Sequence, residues 1–163
     1  MMMMRVMGID PGSIVTGFAI LEKGNNGLIH IHSGSIRPSA RESFAVRLKD
    51  IYQSLRTVIN DFEPDEVAIE DVFLAKNPKS AIKLSHARGV TMLASAEAGL
   101  KIYEYSPRAV KLAVVGYGQA SKEQVQKMVQ ALVSLKEMPS PDTADALAVA
   151  ICHIHTTISG YNR

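Results

Sequence analysis

Unbroken apolar runs and helical periods alternate along this chain, and two of the apolar runs end in an acid. Val6, Met7 and Ile9 lead straight to Asp10, and the turn Pro11-Gly12-Ser13 follows at once. A run that does not alternate with polar residues reads as a strand buried on both faces. Thr16 to Leu21 alternates weakly, carries Gly17 and gives a second strand. Gly24-Asn25-Asn26-Gly27 is a hairpin signal, so Leu28 to Ile36 is predicted as a third strand closing an antiparallel meander. A helical period then takes over. Phe44, Leu48, Ile51, Tyr52, Leu55, Val58, Ile59 and Phe62 share a stripe, Arg41, Glu42, Arg47, Lys49 and Arg56 lie elsewhere around the axis, and Pro64 ends the helix.

The opening pattern then repeats. Val67-Ala68-Ile69 ends in Glu70, followed by Asp71. Strand, covering helix and returning strand form a crossover, which makes this fourth strand parallel to the first. If the two are neighbours, Asp10 and Glu70 emerge side by side at carboxyl ends, where open α/β sheets place ligand sites. Beyond the loop Phe73 to Asn77, a second long helix is predicted from about Pro78 to Gly99. Ala81, Ile82, Leu84, Ala87, Gly89, Val90, Leu93, Ala94, Ala96 and Ala98 make it small and apolar on nearly all sides. Such a helix is buried on more than one side. Its second side either meets another subunit, with Gly89 allowing close approach, or lies deep in the core of one chain.

Lys101 to Tyr105 gives a fifth strand. Ser106 and Pro107 are an N-cap and a first-turn proline, opening a short helix that carries Arg108 and Lys111 three apart. Gly116-Tyr117-Gly118 breaks it, and Ser121-Lys122-Glu123-Gln124 is a capping box for a helix whose buried stripe is Val125, Met128, Val129 and Leu132. Pro139-Ser140-Pro141 stops that segment. Asp142 and Asp145 then open a last helix that turns Leu147, Ala148, Ile151 and Cys152 inward, and the tail from residue 159 to 163 is expected to fray.

Composition narrows the setting. At 163 residues and 47% apolar content, residues 1–163 read as a single domain with a real core. A net charge of +2 means that any polyanion must be held by a local basic patch. One cysteine excludes an internal disulfide and fits a reducing cytosol, so a cytoplasmic location is expected. No apolar run reaches the roughly 18 residues needed to span a bilayer. The extra methionines 1–4 before Arg5 are too short for a signal peptide.

The candidate chemistry lies in the acids. Taken singly, Asp10 can cap its turn, and Asp142 and Asp145 can complement a helix N-terminus. Taken together, two strand-end acids and an acidic pair on one helix face suggest a cluster for hard divalent cations. His30 and His32 share a face of the third strand at a spacing that could bind metal, but no Cys or carboxylate completes a set, and a solvated face is expected. Cys152, His153 and His155 point in different directions around their helix, which argues against zinc.

The element order is that of a ribonuclease H-like α/β fold: a five-stranded mixed sheet, three antiparallel strands then two parallel, flanked by helices. Within it the chain resembles the RuvC-type Holliday-junction resolvases over nearly its whole length after Met4. The resemblance rests on Gly8-Ile9-Asp10-Pro11-Gly12 with Thr16-Gly17, on Ala68-Ile69-Glu70-Asp71-Val72-Phe73 and on Ala81-Ile82-Lys83-Leu84-Ser85-His86-Ala87-Arg88-Gly89. It continues through Val110-Lys111, Val114-Val115-Gly116 and Asp142 to Leu147. Ser85-His86 departs from the family's usual Gly-Gln.

This resemblance implies a structure-selective endodeoxyribonuclease that makes paired nicks in four-way DNA junctions during recombination and repair. Its acidic tetrad falls on Asp10, Glu70, Asp142 and Asp145. These would hold two Mg²⁺ ions about 4 Å apart, with Mn²⁺ able to substitute, and no His is evidently placed as a base. Phe73 resembles the aromatic that stacks on an unpaired junction base. Lys111 and Lys122 match basic residues near the family's active site, and Lys76, Lys79 and Arg108 are expected to extend the patch. A homodimer matched to the junction's two-fold symmetry is implied, as is cooperation with the RuvA–RuvB branch-migration complex. Two rivals remain. An actin-like or sugar-kinase ATPase lobe shares the Gly-Ile-Asp opening but needs a second lobe, and a non-catalytic junction-binding module would not need the complete acid set.

Overall fold

The computed structural model describes residues 3–71 and 77–160. Phe73 and Lys76 therefore lie outside the described residues. The strands are β1 (Arg5–Asp10), β2 (Thr16–Gly24), β3 (Gly27–Ile36), β4 (Glu66–Glu70) and β5 (Lys101–Tyr105). The helices are α1 (Phe44–Phe62), α2 (Pro78–Glu97), α3 (Pro107–Val115), α4 (Lys122–Leu132) and α5 (Pro141–Gly160). The sheet runs in the order β3-β2-β1-β4-β5. β1 pairs antiparallel with β2 and parallel with β4, and β5 is parallel to β4. The neighbour relation that the crossover left conditional is therefore met.

Local chemistry sets the helix limits. Ser43 caps α1 by accepting from the Val46 amide, and Glu63, left-handed at φ 44°, closes it ahead of Pro64. Asn77 caps α2 and Pro78 occupies its first turn. Ser106 accepts from the Ala109 amide at 3.1 Å to start α3, and Gly116 ends it at φ 96°, a value that favours glycine. The Ser121–Gln124 capping box forms as read from the sequence.

Each face of the sheet has its own core. Met7, Ile9, Phe18, Ile20, Val67 and Ile69 meet Ile51, Leu55 and Ile59 of α1 and Ala87 and Ala94 of α2. On the opposite face Val6, Ala19, Leu21 and Ala68 meet α5 through Ala146, Leu147, Ala150 and Ile151, with α3 and α4 outside. α5 sits unusually low. A Cβ on Gly8 would lie 2.0 Å from the Ala146 carbonyl oxygen, and one on Gly17 would lie 2.1 Å from that of Asp142. Only glycine permits this approach.

One sequence expectation is corrected here and one alternative falls away. His30 and His32 do not share a face. A bulge between Ile20 and Leu21 sets His30 opposite Leu21 and His32 opposite Ile20, and these two partners belong to opposite cores. His32 accordingly stacks on Phe62 at 4.8 Å, while His30 bonds Ser33 at 2.8 Å. Nor is α2 buried on more than one side within the chain. Ala87, Thr91, Ala94 and Ser95 are buried, but Ile82 and Leu93 on the outer side are more than half exposed. The deep-core alternative for this helix is thereby removed.

The histidines of α5 also go separate ways. His153 is buried between the Tyr105 hydroxyl at 2.6 Å and the Glu66 carboxylate at 2.7 Å. His155 meets the Ala113 carbonyl at 3.1 Å, and Cys152 is buried in the core. No helix among the described residues is long and apolar enough to cross a membrane.

Candidate active site

The acids converge because three backbone elements converge. Ile9 is in register with Ile69, so Asp10 and Glu70 leave adjacent parallel strands at the same level. Asp10 is also paired with Gly17, and Gly17 is the residue against which the Asp142 carbonyl is pressed. The first turn of α5 is thus seated beside the end of β1 by backbone contact. Asp145, one turn on, faces the same space. The turn after Asp10 is held by Thr16, whose buried hydroxyl donates to the Gly12 carbonyl at 2.9 Å and accepts from the Gly12 amide at 3.3 Å. Ser140 starts α5 by accepting from the Thr143 amide at 3.4 Å, and Gln126 of α4 donates to the Pro139 carbonyl at 2.6 Å.

Electrostatics records the convergence. Burial pushes the Asp10 carboxyl up to about 7, and Asp145, Glu70 and Asp142 add like-charge repulsion in that order. Burial and Asp145 likewise push Glu70 up to about 7, against the attraction of Lys122 and Lys111. Burial is also the main cause of the upward displacement at Asp145, where Lys122 opposes it. The nearest cations neutralise the acids only partly. Lys122 Nζ stands 3.7 Å from Asp145 and Arg37 3.5 Å from Asp142, both on largely exposed side chains. Pairs so exposed add little to stability.

A divalent cation fits this donor set. Carboxylate oxygens are hard ligands, and the excess negative charge, half removed from water, is what such an ion relieves. Among the described residues, no three His, Cys, Asp or Glu side chains close into a ready ligand group. The like-charge repulsion on Asp10 and Glu70 still places these acids near one another.

The sequence-predicted cations divide into two groups. Lys111 and Lys122 both act on Glu70 and Asp145. Arg108 is exposed in the first turn of α3, three residues before Lys111, and Lys79 is exposed in the first turn of α2. Neither of these two is among the charges acting on Asp10, Glu70 or Asp145. Two further residues had no assigned role in the sequence reading. Arg37 follows β3, and the pairing of Thr16 with Ile36 brings it to Asp142. Arg88 of α2 is largely buried, donates to the Glu70 carbonyl at 2.6 Å and pairs with Glu104 and with Asp71 at 3.7 Å. It fixes the end of β4 from behind. Its place in the Ala81–Gly89 stretch was the available signal.

A family model described as crossover junction endodeoxyribonuclease RuvC matches residues 6–153. The chain belongs to the RuvC family. Among curated relatives bearing that description, the protein from Koribacter versatilis is 54% identical over 156 residues, covering 94% of each chain. The one from Pelobacter propionicus is 53% identical over 153 residues, covering 94% of this chain and 87% of its own. Among solved structures, Thermus thermophilus RuvC in complex with Holliday junction substrate superposes with a TM-score of 0.90 at 36% identity, covering 96% of both chains. The yeast mitochondrial Holliday junction resolvase shares the fold, with a TM-score of 0.70 at 15% identity. The fold expected from the RuvC resemblance is therefore the fold observed.

Proposed function

We propose that this protein is a Holliday-junction resolvase, an endonuclease that nicks four-way DNA junctions in recombination and repair. The observation that carries the reading is the convergence of Asp10, Glu70, Asp142 and Asp145, beside Lys111 and Lys122, in a RuvC-family chain. Nucleases of this family are metal-dependent, and the all-carboxylate donor set supports Mg²⁺, two ions per site, with Mn²⁺ as a substitute. Asp10, Glu70, Asp142 and Asp145 are the residues that would hold the ions. When bound, the ions supply charge stabilisation on the entering and leaving oxygens and an activated water. The chain's own residues do the rest. Arg88 holds the Glu70 backbone, the Gly17–Asp142 contact seats α5, and Lys111 and Lys122 bind the DNA phosphates that flank the cut.

We also propose that the protein acts as a homodimer. Ile82, His86, Gly89, Leu93 and Ala96 recur at helical spacing on the outer side of α2, and a Cβ on Gly89 would meet nothing within 4 Å. A second copy across a two-fold axis covers this row and gives each of two equivalent strands one active site. Family membership is the support for proposing cooperation with the RuvA–RuvB complex as well.

A labelled four-way junction, incubated with and without Mg²⁺ and separately with ATP, tests the function. Symmetric Mg²⁺-dependent nicks are expected. ATP hydrolysis without nicking would favour an ATPase lobe, and tight binding without nicking a non-catalytic module. Sedimentation of the wild type and of Leu93→Lys tests the dimer. Loss of the dimer in the variant is expected, and a wild type that remains monomeric on junction DNA would refute it.

A further inference from the structure

A cleft lies where the chain passes from α3 to α4. It has a volume of about 350 Å³ and is lined by Arg108, Tyr117, Gly118 and Gln119. That volume is at the low end of the roughly 300–1,000 Å³ typical of ligand sites. The lining consists of a guanidinium, a phenol ring, a primary amide and bare backbone, with no carboxylate. Guanidinium for phosphate, aromatic face for a base and amide for a base edge is the chemistry of nucleotide binding.

The cleft is built on fixed points. Gly116 is anchored by its amide to the Leu112 carbonyl at 3.0 Å, and Ala120 is buried immediately before the Ser121 capping box. Tyr117 projects from this tied loop with 45% of its surface exposed and belongs to neither core. Gly118 leaves room for the Arg108 stem. A Cβ there would lie 2.7 Å from Arg108 Cγ and 3.1 Å from Nε. Each wall is close along the chain to a lysine that acts on the acids. Arg108 is three residues before Lys111 on α3, and Lys122, four residues after Gly118, reaches Asp145.

We infer that the Arg108–Tyr117–Gln119 cleft holds one nucleotide of a junction arm next to the scissile phosphate, with its base stacked on Tyr117 and its phosphate on Arg108. This rests on the nuclease reading above and adds a subsite to it. The subsite fixes the arm that enters the acid cluster, so its loss weakens binding of the junction while leaving the chemistry of a bound strand intact.

The test measures junction affinity in Ca²⁺, with 2-aminopurine placed along one arm, together with the single-turnover nicking rate at saturating protein in Mg²⁺. Tyr117→Ala is expected to weaken binding roughly tenfold, as loss of one stacked base does. It should abolish the quenching of 2-aminopurine at one arm position and leave the saturating rate near wild type. Tyr117→Phe should retain both affinity and quenching. Gly118→Ala displaces Arg108 without changing net charge, so it should weaken binding by a similar factor, a loss that bulk electrostatics would not cause. Binding by Tyr117→Ala and Gly118→Ala within twofold of wild type, or unchanged quenching, overturns the inference even if the wild type nicks normally. A wild type that binds and responds to Tyr117→Ala but never nicks refutes the nuclease reading and leaves the cleft standing. A wild type that does not bind the junction refutes both.

Discussion

The two faces of the sheet are closed by different means. On one, α1 rests on the sheet through Ile51, Leu55 and Ile59, each fully or almost fully buried. On the other, α5 comes down on Gly8 and Gly17 until the carbonyls of Ala146 and Asp142 stand where a Cβ would be. Side chains in a core can repack by changing rotamer, so a covering helix has some latitude in where it sits. Backbone pressed on backbone has none. The acid-bearing helix is the one whose height is set by missing side chains. In this molecule the tightest approach falls on the helix that carries Asp142 and Asp145.

A paired substitution puts that contrast under the greatest strain. Ile51→Ala leaves a cavity and should cost about 2–5 kcal/mol of stability. Gly17→Ala overpacks the α5 contact and should cost about 1–3 kcal/mol or somewhat more. Nicking separates them. At a temperature where both are folded, Ile51→Ala should cut at close to the wild-type rate. Gly17→Ala moves Asp142 and should cut at least ~100-fold more slowly, the scale of a 1 Å misplacement. Equal rates would mean that the two faces position their helices equally well.

The contrast extends to pH. Because the folded Asp10 carboxyl is raised to about 7, the native state holds that proton more tightly than the unfolded chain does. Its ionisation therefore opposes folding. The penalty is absent below about pH 4, grows as pH rises, and is complete above about pH 7. Glu70 acts in the same direction. Without divalent ions, Asp10→Asn should stabilise the fold by roughly 2 kcal/mol at pH 8, about half of what the full displacement would give, and by almost nothing at pH 4. A denaturation midpoint compared at the two pH values checks this. A variant less stable than wild type at pH 8 would show that the acids are not crowded.

The smallest effect concerns Lys122, exposed on α4 and tied to Asp145 by a 3.7 Å pair. Lys122→Ala should lower the slope of log affinity against log salt by about one, with little change in thermal stability. An unchanged slope would mean that this lysine serves Asp145 alone.

What could be read from the sequence was local. The hairpin at Gly24–Gly27, the α3 and α4 caps and the strand-end acids each follow from a few adjacent residues, and the structure has them all. The misreadings depended on distant partners. Strict alternation put His30 and His32 on one face, and the bulge that separates them exists only in the pairing of β3 with β2. The deep-core alternative for the outer side of α2 arose because small apolar residues do not say what covers them. Arg88 and Arg37 reach Glu70 and Asp142 across 18 and 105 residues of chain, and no periodicity records such a contact. Gly8 and Gly17 stood in the sequence as motif letters. Their physical role became visible only against α5.

The central claim is that the acids brought together by β1, β4 and α5 form one catalytic pocket, and Asp10 is the group most surrounded by the others. Nicking of a labelled four-way junction in Mg²⁺ by Asp10→Asn, measured beside its junction affinity, tests it most directly. The expected result is a junction bound as tightly as by wild type and left uncut. Mg²⁺-dependent nicks at the wild-type positions by that variant would contradict it.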